Sequence, residues 1–149
     1  MLFWTHLLVG LFGILVYLPY SENKVIFFVV ALAASVLADI DSPTSKLGRK
    51  FSSRVLFAFS KHRGFLHSLT FMFLVYLILK FTLPIFAFPF LFGYSIHLFL
   101  DIFTVQGIKL FWPFKFRLRG FVKSGKLIEL FLMILFLILD CFMFVVRII

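Results

Sequence analysis

Five apolar runs, each with few charged residues, make up most of the sequence. The hydrophobic fraction is 63%, whereas soluble globular domains contain roughly 45–50% apolar residues. A transmembrane helix needs about 20 consecutive apolar residues, and most of these runs approach that length. The sequence therefore predicts an all-α, multi-pass transmembrane helical bundle with about five spans, or four, in a single integral membrane domain over residues 1–149. The predicted spans are residues 2–20, 25–38, 65–83, 84–105 and 127–149.

The positive charge is concentrated in two loops between these runs. The formal net charge is +9, and of the 15 Lys and Arg residues six lie in residues 39–64 and six in residues 106–126. Basic loops next to spans tend to stay in the cytoplasm and attract anionic lipid head groups. We therefore expect a protein of the cell (inner) membrane with its N-terminus and both basic loops in the cytoplasm. The expected partners are membrane lipids and their anionic head groups, not nucleic acid.

One helix face in the fourth span carries an imidazole and a carboxylate. His97 and Asp101 are four residues apart, so on a helix they lie one above the other, and Tyr94 and Thr104 continue the same face at three-residue steps. Ionisable side chains inside an apolar helix are costly to bury in lipid unless they meet partners. The pair therefore predicts polar partners from other helices.

Alternating helix directions bring such partners to the same end of the bundle. His6 lies near the start of the first span, and Asp39 and Asp41 follow the end of the second, where Pro43 disfavours helix. The remaining candidates at this end are His62 and His67, which flank the start of the third span, and Glu129, in the first turn of the fifth. Only Glu22 and Asp140, among the ten His, Asp and Glu residues, lie elsewhere.

Imidazole and carboxylate together are the ligands of zinc, manganese or iron sites. Because the candidates outnumber the ligands of one tetrahedral ion, we expect one or two divalent ions, with zinc favoured. Glu129 has an equally good alternative role, since a carboxylate in the first turn of a helix stabilises its N-terminus. Asp140, deep in the fifth span, has no partner that the sequence identifies.

Several short motifs follow one another from Thr5 to Glu129. They are Thr5-His6, Asp39-x-Asp41, His62-Arg63-Gly64-x-x-His67-Ser68, Tyr94-x-x-His97-x-x-x-Asp101-x-x-Thr104, Trp112-Pro113 and Ser124-Gly125-x-x-x-Glu129. Their order and spacing resemble the YdjM-like family of membrane-bound proteins, which are described as predicted metal-dependent hydrolases. The resemblance implies a multi-pass inner-membrane protein with a metal site like that of zinc-dependent phospholipase C enzymes. The implied ligands are His6, Asp39, Asp41, His62, His67, His97 and Asp101, with Glu129 as a further candidate.

A metal site at the cytoplasmic edge of a membrane favours hydrolysis of a lipid or polyprenyl phosphoester. Glu129 or His62 would assist proton transfer, and Arg63 would contact the phosphate, helped by the basic residues 46–49. The alternative is a non-enzymatic metal-binding or metal-transport membrane protein, in which Tyr17 and Asp140 would belong to an ion path. An intramembrane metalloprotease ranks low because the sequence has no H-E-x-x-H motif.

Overall fold

The structure, a computed structural model, describes residues 1–41, 64–114 and 116–148, and the side chains of residues 40, 41 and 148 are outside that description. Three predicted site residues are affected. His62 and Arg63 lie outside the described residues, as do the basic residues 46–49, and the side chain of Asp41 is also outside them. The roles predicted for these residues therefore stay predictions.

The described residues form a bundle of apolar helices, with no β-strand among them. The five α-helices of the described chain are α1 (Phe3–Tyr17), α2 (Lys24–Leu37), α3 (Leu69–Thr82), α4 (Pro84–Ile102) and α5 (Leu127–Ile148). Short 3-10 turns follow α1 (Leu18–Tyr20) and α2 (Ala38–Asp41) and precede α3 (Phe65–His67). The prediction of an all-α membrane bundle is confirmed.

Three segments are long and apolar enough to cross a membrane: Phe3–Tyr20, Pro84–Ile102 and Leu127–Arg147. The other two predicted spans, α2 and α3, have only 14 residues each. At 1.5 Å per residue a helix of that length reaches about 21 Å, less than the roughly 30 Å of a hydrocarbon core. Each of these two short helices has one end at the cluster of His and Asp side chains described below.

A side-chain cap sets the start of α3. Ser68 Oγ accepts a hydrogen bond from Phe71 N at 3.1 Å, so the helix begins at Leu69 and not near residue 65. The predicted third span, from residue 65, would have placed His67 in the first turn of the helix, which is wrong: His67 lies in the preceding 3-10 turn.

The end of α4 also differs from the prediction. The helix stops at Ile102, and Thr104 Oγ1 donates to the carbonyl of Asp101 at 2.8 Å. Thr104 thus lies beyond the helix and does not continue the face of His97 and Asp101. It helps to end the helix directly after the predicted site residue.

The centre of the bundle is α4, which packs against α1, α2 and α3. The α2–α4 contact is close because Gly93 has no side chain: a Cβ atom there would lie 2.0 Å from the carbonyl oxygen of Ala31. The fifth helix packs mainly against α1, and most of its surface is exposed. The close α2–α4 packing brings the C-terminal end of α2 next to the last turns of α4.

The connection between α4 and α5 folds back over this end of the bundle. Ile108 and Leu118 exchange two backbone hydrogen bonds of 3.0 Å, and Val105 N donates to the carbonyl of Val122 at 3.0 Å. A further bond, from Leu69 N to the carbonyl of Leu110 at 2.9 Å, joins the connection to α3. The second basic loop therefore covers the end at which α2 and α4 finish and α1, α3 and α5 begin.

Candidate metal centre

Five ionisable side chains meet at the covered end of the bundle, and all are buried. They come from α1, from the turns after α2 and before α3, and from α4. They are His6, Asp39, His67, His97 and Asp101. The structure thus brings together every predicted metal ligand whose side chain it describes.

Asp101 lies between the imidazoles. Its Oδ1 atom is 3.3 Å from His6 Nε2, while its Oδ2 atom is 3.6 Å from His67 Nε2 and 3.9 Å from His97 Nε2. Asp39 lies in the 3-10 turn that follows α2. Its Oδ1 atom is 4.0 Å from the Nε2 atoms of both His67 and His97. Each carboxylate therefore faces at least two imidazoles.

The side chains form two groups that could each hold a cation. His6, Asp39 and His97 make one triad, and His67, His97 and Asp101 make the other. Within each triad one ligand atom per residue lies within 4.8 Å of the others. Ligand atoms at 2.0–2.2 Å from a tetrahedral zinc ion lie about 3.3–3.6 Å apart. The contacts of His97 with Asp39 and Asp101, at 4.0 and 3.9 Å, and of His67 with Asp101, at 3.6 Å, are close to that separation. Because His97 belongs to both triads, the arrangement fits one or two ions.

The orientation of His97 suits a metal ligand. Its Nδ1 atom lies 2.8 Å from the backbone carbonyl of Ser35, so we assign the ring proton to Nδ1, which donates to that oxygen. Nε2 is then left with a lone pair, which is the usual arrangement of a metal-bound histidine and its supporting carbonyl. Although fully buried, His97 Nε2 makes no hydrogen bond to the described residues.

His6 gives the same indication. The ring is fully buried, and Nδ1 has no hydrogen-bond partner within the described part of the chain. A buried polar atom without a partner costs roughly 1–3 kcal/mol, which a bound cation would offset. The donor set and these buried nitrogens therefore fit a divalent metal that accepts imidazole and carboxylate.

Two contacts of the cluster were not anticipated from the sequence. The Ser35 carbonyl that orients His97 is a backbone atom one turn before Asp39, and no sequence motif marks it. The Met1 nitrogen lies 2.9 Å from Asp101 Oδ1, on the side that faces His6. No sequence motif indicated this second contact.

Glu129 lies outside both triads and joins two helix starts. Its Oε1 atom accepts hydrogen bonds from Leu2 N at 2.5 Å and from Thr5 Oγ1 at 3.1 Å, and its Oε2 atom accepts one from Gly125 N at 2.5 Å. The side chain is fully buried. These contacts match the helix-capping role that the sequence offered as an alternative, extended from α5 to the first turn of α1.

Asp140 is separate from the centre. It lies in the middle of α5, is 5% exposed, and belongs to neither triad. Neither of its carboxylate oxygens has a hydrogen-bond partner among the described residues. Tyr17, its proposed companion in an ion path, packs against the rings of Phe27 and Phe92.

Comparison with known proteins identifies the family. The sequence matches the family described as YdjM inner membrane protein over residues 1–148. It is 31% identical to YvsG of Bacillus subtilis (strain 168) over 131 residues, which are 84% of this chain and 82% of that protein. It is 33% identical to the inner membrane protein YdjM of Escherichia coli (strain K12) over 98 residues, which are 60% of this chain and 50% of that protein. The same values hold for YdjM of Shigella flexneri, so the match spans half the length of these two relatives.

No solved structure matches the chain. The family match nevertheless covers nearly every residue, including each element that contributes to the candidate metal centre. Together with the apolar helices, it confirms the resemblance of the sequence motifs and the membrane location. The chain belongs to the YdjM inner membrane protein family.

Proposed function

We propose that the protein is a membrane-embedded, metal-dependent hydrolase of a lipid or polyprenyl phosphoester at the cytoplasmic membrane face. The observation that carries this proposal is the pair of buried triads that share His97. A divalent metal bound there would polarise a phosphoryl oxygen and activate water for attack. Zinc suits the ligands best, and manganese and iron are the next choices.

The residues of the chain divide into ligands and supporting groups. His6, Asp39, His67, His97 and Asp101 would bind the metal, with Asp41 and His62 as further ligands outside the described side chains. The two carboxylates supply negative charge that offsets the charge of the ion in an apolar environment. We assign the phosphate contact to Arg63 and proton transfer to His62. The three hydrogen bonds of Glu129 favour a positioning role for that residue over direct proton transfer.

The charge distribution supports a cytoplasmic site. The α4–α5 connection lies over the end of the bundle that holds the two triads, and it carries six Lys and Arg residues between positions 106 and 126. The other basic segment, residues 39–64, is joined to the same end through Asp39 and the turn that contains His67. Because basic loops tend to remain in the cytoplasm, we infer that the N-terminus and both loops lie there.

The test is hydrolysis by the purified full-length protein in detergent. Chelator should abolish release of phosphate or phosphomonoester from a phospholipid, an isoprenoid phosphate or a model phosphodiester, and zinc or manganese should restore it. D101N should lose this activity, whereas D140N, a matched change of a buried acid outside the triads, should retain it. Failure to turn over any of these substrates with zinc, manganese or iron would overturn the proposal.

Asp140 favours a second candidate function, a non-enzymatic metal-binding or metal-transport protein. A buried carboxylate with no hydrogen-bond partner among the described residues, in the middle of a membrane-spanning helix, is the kind of group that lines ion paths. Metal uptake into vesicles that contain wild-type protein or D140N separates the two functions. A transporter should lose uptake in D140N, whereas a hydrolase should hydrolyse its substrate equally well in both.

A further inference from the structure

The N-terminal end of α5 is flanked by two adjoining surface cavities. One has a volume of about 350 Å³ and is lined by Leu2, Leu130 and Met133, among others. The other has a volume of about 380 Å³ and includes Phe121, Lys123 and Ile128. Lys126 and Leu127 line both cavities. We call the two together the α5 groove, defined by Leu2, Phe121, Lys123, Lys126, Leu127 and Met133.

Most of the groove wall is apolar and exposed. Phe121 is 70% exposed and Leu127 is 81% exposed, although each is a large hydrophobic side chain. Leu130 and Met133 continue the apolar surface along the helix by one to two turns. Because α5 is long and apolar enough to cross a membrane, this surface lies where lipid chains can reach it.

The mouth of the groove is positively charged. Lys123 and Lys126 are exposed, and neither forms an ion pair with a described residue. The carboxylate that lines the groove, Glu129, is buried and already accepts three hydrogen bonds from other groups. The groove therefore combines two available cations with an apolar floor, which complements an anionic head group attached to a hydrocarbon chain.

We propose that the α5 groove binds an anionic phospholipid, with its phosphate at Lys123 and Lys126 and one hydrocarbon chain along Leu127, Leu130 and Met133. The groove adjoins the metal centre, since Leu2 lines it and the neighbouring Met1 nitrogen lies 2.9 Å from Asp101 Oδ1. An anionic lipid in the groove would thus lie against the start of α1, next to the centre, while its chain stays in the membrane. This inference rests on the proposed function and deepens it by naming an anionic lipid as the substrate class.

Lipid binding to metal-free protein tests the groove independently of hydrolysis. Native mass spectrometry of the full-length protein in detergent would measure retention of phosphatidic acid and phosphatidylcholine. The double variant K123Q/K126Q should bind phosphatidic acid about 30-fold more weakly, because each lysine near an anionic head group contributes a factor of about five. Phosphatidylcholine retention should not change. The control K24Q/K80Q removes two exposed lysines at the opposite end of the bundle and should bind phosphatidic acid normally.

A second pair of variants tests the hydrocarbon part of the site. M133W should fill the groove and reduce phosphatidic acid binding, whereas I138W, further along α5 at a position that is 61% exposed, should not. Glycerol 3-phosphate, which carries the phosphate without the chains, should compete only weakly. Two results would overturn the groove as a lipid site. One is competition by glycerol 3-phosphate as strong as that by phosphatidic acid itself, and the other is a loss of phosphatidic acid binding in K24Q/K80Q as large as in K123Q/K126Q.

The two proposals fail in different ways. If metal-loaded protein hydrolyses nothing but metal-free protein binds phosphatidic acid through Lys123 and Lys126, the groove is supported as a lipid-binding site, and the hydrolase is overturned together with the role of that lipid as its substrate. If K123Q/K126Q binds phosphatidic acid like wild type while chelator-sensitive hydrolysis persists, the groove is overturned and the hydrolase is supported.

Discussion

The imidazole rings of His6 and His97 are stacked, with centroids 4.0 Å apart and planes 15° from parallel. The two residues lie 91 positions apart in the numbering and come from α1 and α4. Neutral imidazole is the form that binds a metal, and two positively charged rings at this distance would repel. The stack therefore suits two neutral ligands on neighbouring helices that share one small, buried polar space.

His97→Ala should remove more metal than any other single change in the centre, because His97 is the residue common to both triads. Elemental mass spectrometry of purified protein should find bound metal reduced by roughly ten-fold or more relative to wild type. D39N should cause a smaller loss, since Asp39 belongs to one triad only. Wild-type metal content in His97→Ala, with the D140N control also unchanged, would contradict the assignment of the centre.

Much of this arrangement could be predicted from the sequence. Apolar runs predict the helices, and alternating helix direction brings His6, Asp39 and Asp101 to one end of the bundle because each residue lies near the same end of its run. The spacing of His97 and Asp101 predicts their shared face. These features depend on residue type and local period, which a single sequence carries.

Other features depend on contacts that form only when two helices come together, and the sequence alone does not identify the partner. The Ser35 carbonyl that orients His97 is one example, because every residue has a carbonyl. Glu129 is another: its position predicts a cap for α5, but its bonds to Leu2 N and Thr5 Oγ1 require α1 to lie alongside. The 3-10 turn that holds His67 is a different case, because it depends on a local contact: Ser68, a residue type that commonly caps helices, caps α3 and shifts the helix start beyond the apolar boundary.

Gly93→Ala should destabilise the bundle through the α2–α4 contact. A Cβ atom at Gly93 would lie 2.0 Å from the carbonyl oxygen of Ala31, which is backbone and cannot move aside without shifting α2. Overpacking of this kind costs roughly 1–3 kcal/mol, so we expect a lower thermal midpoint in detergent. Metal content should fall as well, since α2 positions Asp39 and the Ser35 carbonyl relative to His97.

Gly13→Ala is the matched control for that change. A Cβ atom at Gly13 would lie 2.8 Å from Ile96 Cδ1, the end of a flexible side chain that can rotate away. We expect a smaller change in thermal midpoint and normal metal content. If Gly13→Ala lowers stability and metal content as much as Gly93→Ala, the close α2–α4 contact is not what positions the centre.

Glu129→Gln should act on stability more than on chemistry. The carboxylate oxygens accept three hydrogen bonds, and an amide has an NH₂ group where one of those acceptors stood, so at least one buried donor loses its partner. Such a loss costs roughly 1–3 kcal/mol and should lower the thermal midpoint. A general acid or base would respond differently, with normal stability and metal content but no hydrolysis of a model phosphodiester. That second pattern would assign Glu129 to catalysis and not to positioning.

Metal itself should stabilise the folded protein. A ligand that binds only the folded state adds about 2.7 kcal/mol to the free energy of unfolding at a concentration 100 times its dissociation constant. The thermal midpoint of chelator-treated protein in detergent should therefore rise when zinc is restored.

Two variants serve as controls for this shift. His97→Ala should show no such shift because it lacks the ligand common to both triads. D140N is the informative comparison, because it removes a buried carboxylate from the same bundle without touching either triad, and it should shift as wild type does. An equal shift in His97→Ala would mean that zinc binds somewhere other than the stacked imidazoles.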